Sequence, residues 1–256
     1  MDMVPEGYSH ERIGQADVLA RNDVLGDVRA ALLDAGTLYD YAARHPEAEA
    51  VRGRQTLYVI PGPGSQRWIV RQLSHGGLLA PITGRRFLRR GTPRPFNELQ
   101  LSLTLRQAGI HTPAVVAAAV YHRGLFYGGD VAREAIGDAH DLADCLFGEI
   151  ELDASQRGTV LVAAGRLIGS LHRAGVLHPD LNLRNILIQN PQEAAAAYIL
   201  DIEKCRIVPQ LSGAQREGML ARMARSAHKF EIGTGRHISA DEWMVFRAAY
   251  KQGRLG

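Results

Sequence analysis

Leu177-His178-Pro179-Asp180-Leu181-Asn182-Leu183-Arg184-Asn185-Ile186-Leu187-Ile188, followed by Tyr198-Ile199-Leu200-Asp201, is the stretch on which the reading of this chain turns. Just upstream, Ser155 to Ala174 repeats apolar positions at helical spacing and is stopped by Gly175, so Asp180 sits on a loop after a long amphipathic helix. Asn185 follows Asp180 by five positions. The apolar run Ile186-Leu187-Ile188 then turns back as Tyr198-Ile199-Leu200 and delivers Asp201, sixteen positions beyond Asn185. Two carboxylates and a side-chain amide are thereby presented by one loop and one short apolar hairpin. Pro179 fixes its own φ and biases His178 towards an extended backbone, so both residues are expected to brace the loop rather than to react.

These are the parts that phosphoryl transfer from ATP requires. One carboxylate orients the attacking hydroxyl and accepts its proton, while a carboxylate and an amide oxygen hold Mg²⁺ against the phosphates. Magnesium prefers oxygen ligands and keeps several waters, so two protein ligands suffice. The segment resembles the H-x-D-x-x-x-x-N catalytic loop of the protein-kinase-like superfamily, with Leu200-Asp201-Ile202 where D-F-G would stand. More narrowly, His-x-Asp-Leu-Asn-x-x-Asn-Ile-Leu-Ile, then Leu-Asp-x-x-Lys-Cys, is similar to the Kdo kinases of the lipopolysaccharide kinase family. Asp201 to Arg206 and Leu220 to Ser226 are similar to that family too, and the resemblance runs over about residues 50 to 230.

The resemblance implies a bilobal α+β fold of the protein-kinase type, with a small antiparallel-sheet N-lobe and a mostly helical C-lobe. Its expected organisation is a helical N-terminal extension over 1–49, an N-lobe over 50–134 and a C-lobe over 135–256. It implies Asp180 as catalytic base and Asn185 with Asp201 as Mg²⁺ ligands. In Ile69-Val70-Arg71, Arg71 takes the place of the phosphate-binding lysine, and a guanidinium fork can grip two phosphate oxygens; by itself it reads equally as an outward-facing strand residue. Glu98, in Pro95-Phe96-Asn97-Glu98, is the matching helix glutamate; by itself it reads equally as a first-turn carboxylate at a helix N-terminus. Gly53, in Val51-Arg52-Gly53-Arg54, stands where the phosphate-covering loop belongs, with one glycine instead of three. Glu134 is expected at the hinge between lobes, where backbone groups would read adenine.

Working outward, Thr56 to Ile60 and Trp68 to Leu73 read as a β-hairpin joined by Pro61-Gly62-Pro63-Gly64. A helix over Phe96 to Ala108 is stopped by Gly109, and Ala114 to Tyr121 with Leu125 to Ile136 read as two further strands. Residues 214 to 230 and 239 to 251 read as closing helices. Over 17 to 44, Val18, Leu19, Leu25, Val28, Ala31, Leu32 and Leu33 recur at helical spacing, which predicts short helices. Arg85, Arg86, Arg89, Arg90 and Arg94 form a basic cluster, either a solvated surface or a contact for an anionic acceptor or lipid.

At 256 residues the chain is long enough for two lobes around a cleft. A formal charge of +3 suits nucleotides or phosphosugars and is too small to argue for nucleic acid. The two cysteines, Cys145 and Cys205, match no metal spacing and fit a reducing, cytoplasmic setting. The N-terminal MDMVPEGYSHER lacks the apolar stretch of a signal peptide, and the run Pro113 to Tyr121 falls far short of the ~20 residues that span a bilayer. No A-P-E motif follows Asp201 and few residues remain for peptide-docking helices, which points to a small or lipid-linked acceptor. Similarity to Kdo kinases thus implies a phosphotransferase with an alcohol acceptor, using ATP and Mg²⁺ on the 4-hydroxyl of Kdo in a lipid A-linked core precursor. It would act as a monomer, peripheral on the cytoplasmic face of the inner membrane. The rivals are a heptose or other small-molecule kinase of the same superfamily, and a nucleotide-binding pseudokinase.

Overall fold

A computed structural model describes residues 4–51, 55–74 and 86–256 of the chain. Its contacts divide it into two compact units, residues 1–103 with 114–135 and residues 104–113 with 136–256.

The first unit is a sheet covered by helices on both faces. Its strands are β1 (Tyr8–Ile13), β2 (Ala16–Arg21), β3 (Glu49–Val51), β4 (Leu57–Pro61), β5 (Arg67–Gln72), β6 (Phe87–Leu88), β7 (Val115–Arg123) and β8 (Phe126–Glu134), in the order β1-β2-β7-β8-β5-β4-β3 with β6 on β8. All the pairings are antiparallel. Two helices, α1 (Leu25–Ala35) and α2 (Leu38–Arg44), cover one face. There Val28, Ala31, Leu38 and Ala42 pack on Val18, Trp68, Val70 and Ala132. α3 (Arg94–Gln107) covers the other, its Phe96 and Leu99 packing on Val115, Ala118, Val120 and Val131. Successive strand residues point to opposite faces, so Trp68 and Val70 meet the first helical layer, while Ile69 and Arg71 share the face of α3. β7 reads Val-Val-Ala-Ala-Ala-Val and is buried on both sides; its three alanines let the two helical layers approach closely.

The hairpin, the strands and the helix read from the sequence over 56–136 are present within a residue or two. The helical reading over 17–44 holds for α1 and α2 but fails at Ala16–Arg21, which is strand. In this run, Ala-Asp-Val-Leu-Ala-Arg, the apolar residues Val18, Leu19 and Ala20 are consecutive and buried in a strand paired with β1 and β7. A short continuous apolar run carries no period by which strand and helix can be told apart. Residues 8 to 21 therefore enter the main sheet as a hairpin and are not part of a helical extension.

The second unit is helical with three short ladders. It contains β9 (Ala139–Asp141), α4 (Leu142–Phe147), α5 (Ala154–Arg173), β10 (Val176–Leu177), β11 (Ile186–Gln189), β12 (Ala196–Ile199), β13 (Arg206–Ile207), α6 (Gly213–Thr234) and α7 (Ala240–Leu255). α5, α6 and α7 each begin with a capping box, at Asp153/Gln156, Ser212/Gln215 and Ser239/Glu242. α5 and α7 pack backbone to backbone: a Cβ on Gly169 would lie 2.4 Å from the Tyr250 carbonyl oxygen, and one on Gly253 2.3 Å from that of Arg166. Gly175 ends α5 with φ +71°, and a side chain there would strike the Val208 carbonyl. β11 pairs with β12 and β9, and β10 with β13. Residues 111 and 112 dock along β12, with the Ile199 amide donating to the His111 carbonyl at 2.9 Å and Thr112 Oγ1 to the Ile199 carbonyl at 2.9 Å.

Candidate active site

The turn at Gly175 sends the chain from α5 through β10 into the loop that carries Asp180. His178 lies at its centre, 1% exposed. Its Nδ1 accepts the Asp180 amide at 3.2 Å, and its Nε2 lies 3.0 Å from the Leu200 carbonyl. An acceptor at Nδ1 and a donor at Nε2 define the neutral Nε2–H tautomer. Burial agrees with this, pushing the imidazole below its usual range against the pull of the Leu200 carbonyl, Asp201 and Asp180. One buried ring thus ties the residue bearing the first carboxylate to the residue before the second.

Two further links close the set. Asn185 Nδ2 donates to the Asp180 carbonyl at 2.8 Å, and the Leu200 amide donates to the Asn185 carbonyl at 2.9 Å. Asn182 caps the 3₁₀ turn Leu183–Asn185, accepting the Arg184 amide at 3.0 Å and donating to the Asp180 carbonyl at 3.0 Å. Asn185 commits its amide nitrogen to the loop, which leaves Oδ1 as its coordinating atom. Asp201, after the doubly held Leu200, sits in the left-handed region at φ 52°, ψ 45°. Asp180 and Asp201 are both exposed. The structure therefore brings Asp180, Asn185 and Asp201 together on one hydrogen-bonded frame. Two carboxylates and an amide oxygen are hard oxygen donors that fit a partly hydrated Mg²⁺, and they lack the nitrogen and sulfur ligands that favour zinc.

In the first unit, Arg71 on β5 and Glu98 on α3 form an ion pair, as the family resemblance implied. Sequence reasoning missed its third member. Arg133 on β8 holds the other Glu98 oxygen, Oε1, through Nε at 2.8 Å and also through Nη2. The register explains the meeting: Ile69 faces Arg133 and Arg71 faces Val131, so both arginines project from one sheet face towards α3. Burial alone pushes the Glu98 carboxyl up, but the guanidiniums of Arg133 and Arg71 outweigh it and hold the group below the usual carboxylate range. The available signal was the lone cation of its strand, and it becomes meaningful only once β5 and β8 are paired.

Glu134 is the last residue of β8. Its carboxylate pairs with Arg21, which also holds Asp23 at 2.6 Å and Gln66 at 3.1 Å, and its amide donates to the Ala114 carbonyl at 2.9 Å. Gly53 and Arg85 lie outside the described residues. Of the rest of the basic cluster, Arg86, Arg89 and Arg90 are exposed and Arg94 stacks 4.6 Å over the Phe87 ring. No helix among the described residues is long and apolar enough to cross a membrane.

The sequence profile of the lipopolysaccharide kinase (Kdo/WaaP) family matches residues 47–250. The chain belongs to that family. Among its relatives is a 3-deoxy-D-manno-octulosonic acid kinase of Vibrio vulnificus, 28% identical over 243 residues that cover 94% of this chain and 97% of the relative. The enzyme of the same name from Vibrio parahaemolyticus is 35% identical over 179 residues, 69% of this chain and 71% of the relative. A solved structure of WaaP in complex with acyl carrier protein superposes with a TM-score of 0.56 over 84% of this chain and 85% of that one, at 16% identity, so the two share a kinase-like α+β fold. Membership of a kinase family implies ATP as the phosphoryl donor.

Proposed function

We propose that this chain is an ATP-dependent sugar kinase that phosphorylates the 4-hydroxyl of 3-deoxy-D-manno-octulosonic acid (Kdo) on a lipid A-linked core precursor. The observation that carries the reading is the His178 clamp, which holds the Asp180 and Asp201 segments to each other in a family of kinases. Relatives named for this acceptor, over nearly the whole chain, support the choice of sugar.

Asp180 orients the acceptor hydroxyl and takes its proton. Asp201 and Asn185 Oδ1 hold Mg²⁺, which when bound neutralises charge on the transferring phosphoryl group. Arg71 steadies the phosphates, with Glu98 fixing its guanidinium and Arg133 fixing Glu98. Glu134 marks the segment whose backbone meets adenine. The exposed position of Asp180 leaves its carboxylate open to the acceptor, and His178 keeps the loop rigid without titrating near neutral pH. The sheet of the first unit, with the β1–β2 hairpin included, serves as the N-lobe and residues 135–256 as the C-lobe of a monomer working at the cytoplasmic face of the inner membrane.

The test is Asp180→Ala, assayed with labelled ATP on a Kdo-bearing lipid A precursor and on a heptosylated one. Transfer to the Kdo acceptor should fall by about 10³-fold while ATP binding persists. Undiminished transfer would refute the role of Asp180, and preference for the heptosylated acceptor would refute the sugar.

A further inference from the structure

Between α6 and α7 lies a groove of about 890 Å³ whose walls include Ala221, Ala224, Trp243, Met244 and the stems of Arg247 and Lys251. Met244 is 60% exposed. The opposite side of α7 is already spent, since Ala249 is buried and approaches Gly165 of α5. An open apolar trough of this size is unusual on a surface that meets only water.

Its charges are one-sided. Arg247 and Lys251 line the groove and are exposed, with no ion-pair partner among the described residues. The acid lining the groove, Glu231, is engaged by the Ile238 amide at 3.2 Å and by His228 Nδ1 at 3.5 Å. An apolar floor with free cations at its edge complements an acyl chain that leads to an anionic headgroup.

The groove is also joined to the candidate active site through a single helix. The other face of α6 supports the Asp180 loop at three points: the His178 amide meets Met219 Sδ at 3.3 Å, the Leu183 amide meets Ser226 Oγ at 3.4 Å, and the Arg184 guanidinium lies 5.2 Å over the Phe230 ring. A helix with its side chains is about 10–12 Å across. A glycolipid whose acceptor sugar is carried on a further disaccharide spans that distance, and a free sugar does not.

We propose that this groove holds an acyl chain of the lipid-linked acceptor, an inference that rests on the function proposed above. Trp243 in the wall supplies the test. In the Trp68→Phe variant it is the sole remaining tryptophan of the two in the chain. Binding an acceptor with brominated acyl chains should quench most of its emission, and the deacylated acceptor should not. The Trp243→Phe variant, left with the buried Trp68, should stay bright. Absent quenching, or equal quenching by a brominated fatty acid without sugar, would overturn the proposal. Independently, Ala224→Phe should shift the KM ratio of acylated to deacylated acceptor by about tenfold, equivalent to roughly 1.4 kcal/mol; an equal change in both KM values would overturn it as well. If no Kdo acceptor is phosphorylated at all, the function above falls, while quenching still decides the groove.

Discussion

The two units hold their charged groups in opposite ways. In the first, Glu98 is fully buried and clasped by Arg71 and Arg133, whose side chains are only 15% and 14% exposed. In the second, Asp180 and Asp201 stand in solvent, and the buried member is the neutral ring of His178. A buried carboxylate between two guanidiniums is a fixed structural element, stable only while its partners remain. Exposed carboxylates on a frame of backbone hydrogen bonds contribute little to stability and stay open to solvent, as the proposed metal and proton roles require. One arrangement supplies rigidity, the other reactivity.

The sharpest way to break the contrast is at Asp201. Asp201→Asn keeps a residue that tolerates the left-handed backbone but removes the charge. Transfer should fall by about 10³-fold, in line with the several kcal/mol a metal ion supplies, with almost no change in melting temperature. An undiminished rate at limiting Mg²⁺ would contradict the assignment. Glu98→Gln should do the reverse, lowering stability by about 3–5 kcal/mol, because it removes the buried carboxylate that two largely buried guanidiniums clasp. Chemical denaturation measures this, and a cost below about 1 kcal/mol would show the cluster to be solvated.

The smallest effect is one of pH. His178 has a folded pKa below its ordinary 6.5, so the unfolded chain binds the extra proton first and stability falls as pH drops below about 6.5. The carboxyl of Glu98 is held below its ordinary 4.5, so its stabilisation is lost only as pH falls below about 4.5. Hydrogen exchange followed from pH 7 to 4 should therefore show the Asp180 loop loosening before the strands β5 and β8. Simultaneous loosening would mean that the two regions do not titrate separately.

The loop was the more legible region because its function depends on residues close in sequence. His178, Asp180 and Asn185 lie within eight positions, and one hairpin returns Asp201. Arg71 and Glu98 became legible only through the family resemblance, and Arg133 not at all. A cation on a strand acquires a partner through register, and the pairing of Ile69 with Arg133 depends on sheet order that no local pattern encodes. The same holds for Ala16–Arg21, where Val18 and Leu19 fit a helical period as readily as a strand and pairing with β7 decides. The α5 and α6 boundaries were legible because capping residues and glycine act within a few positions.

That hairpin has a consequence for how the protein is made. β2 pairs with Ala117–Tyr121, roughly a hundred residues downstream, so its contacts are among the least local in the chain. At about 5–20 residues per second on the ribosome, β1 and β2 emerge several seconds before their place in the sheet exists. Through that interval Ile13, Ala16, Val18, Leu19 and Ala20, all buried in the finished sheet, stay uncovered, which makes residues 13–20 the segment where chaperone dependence should concentrate.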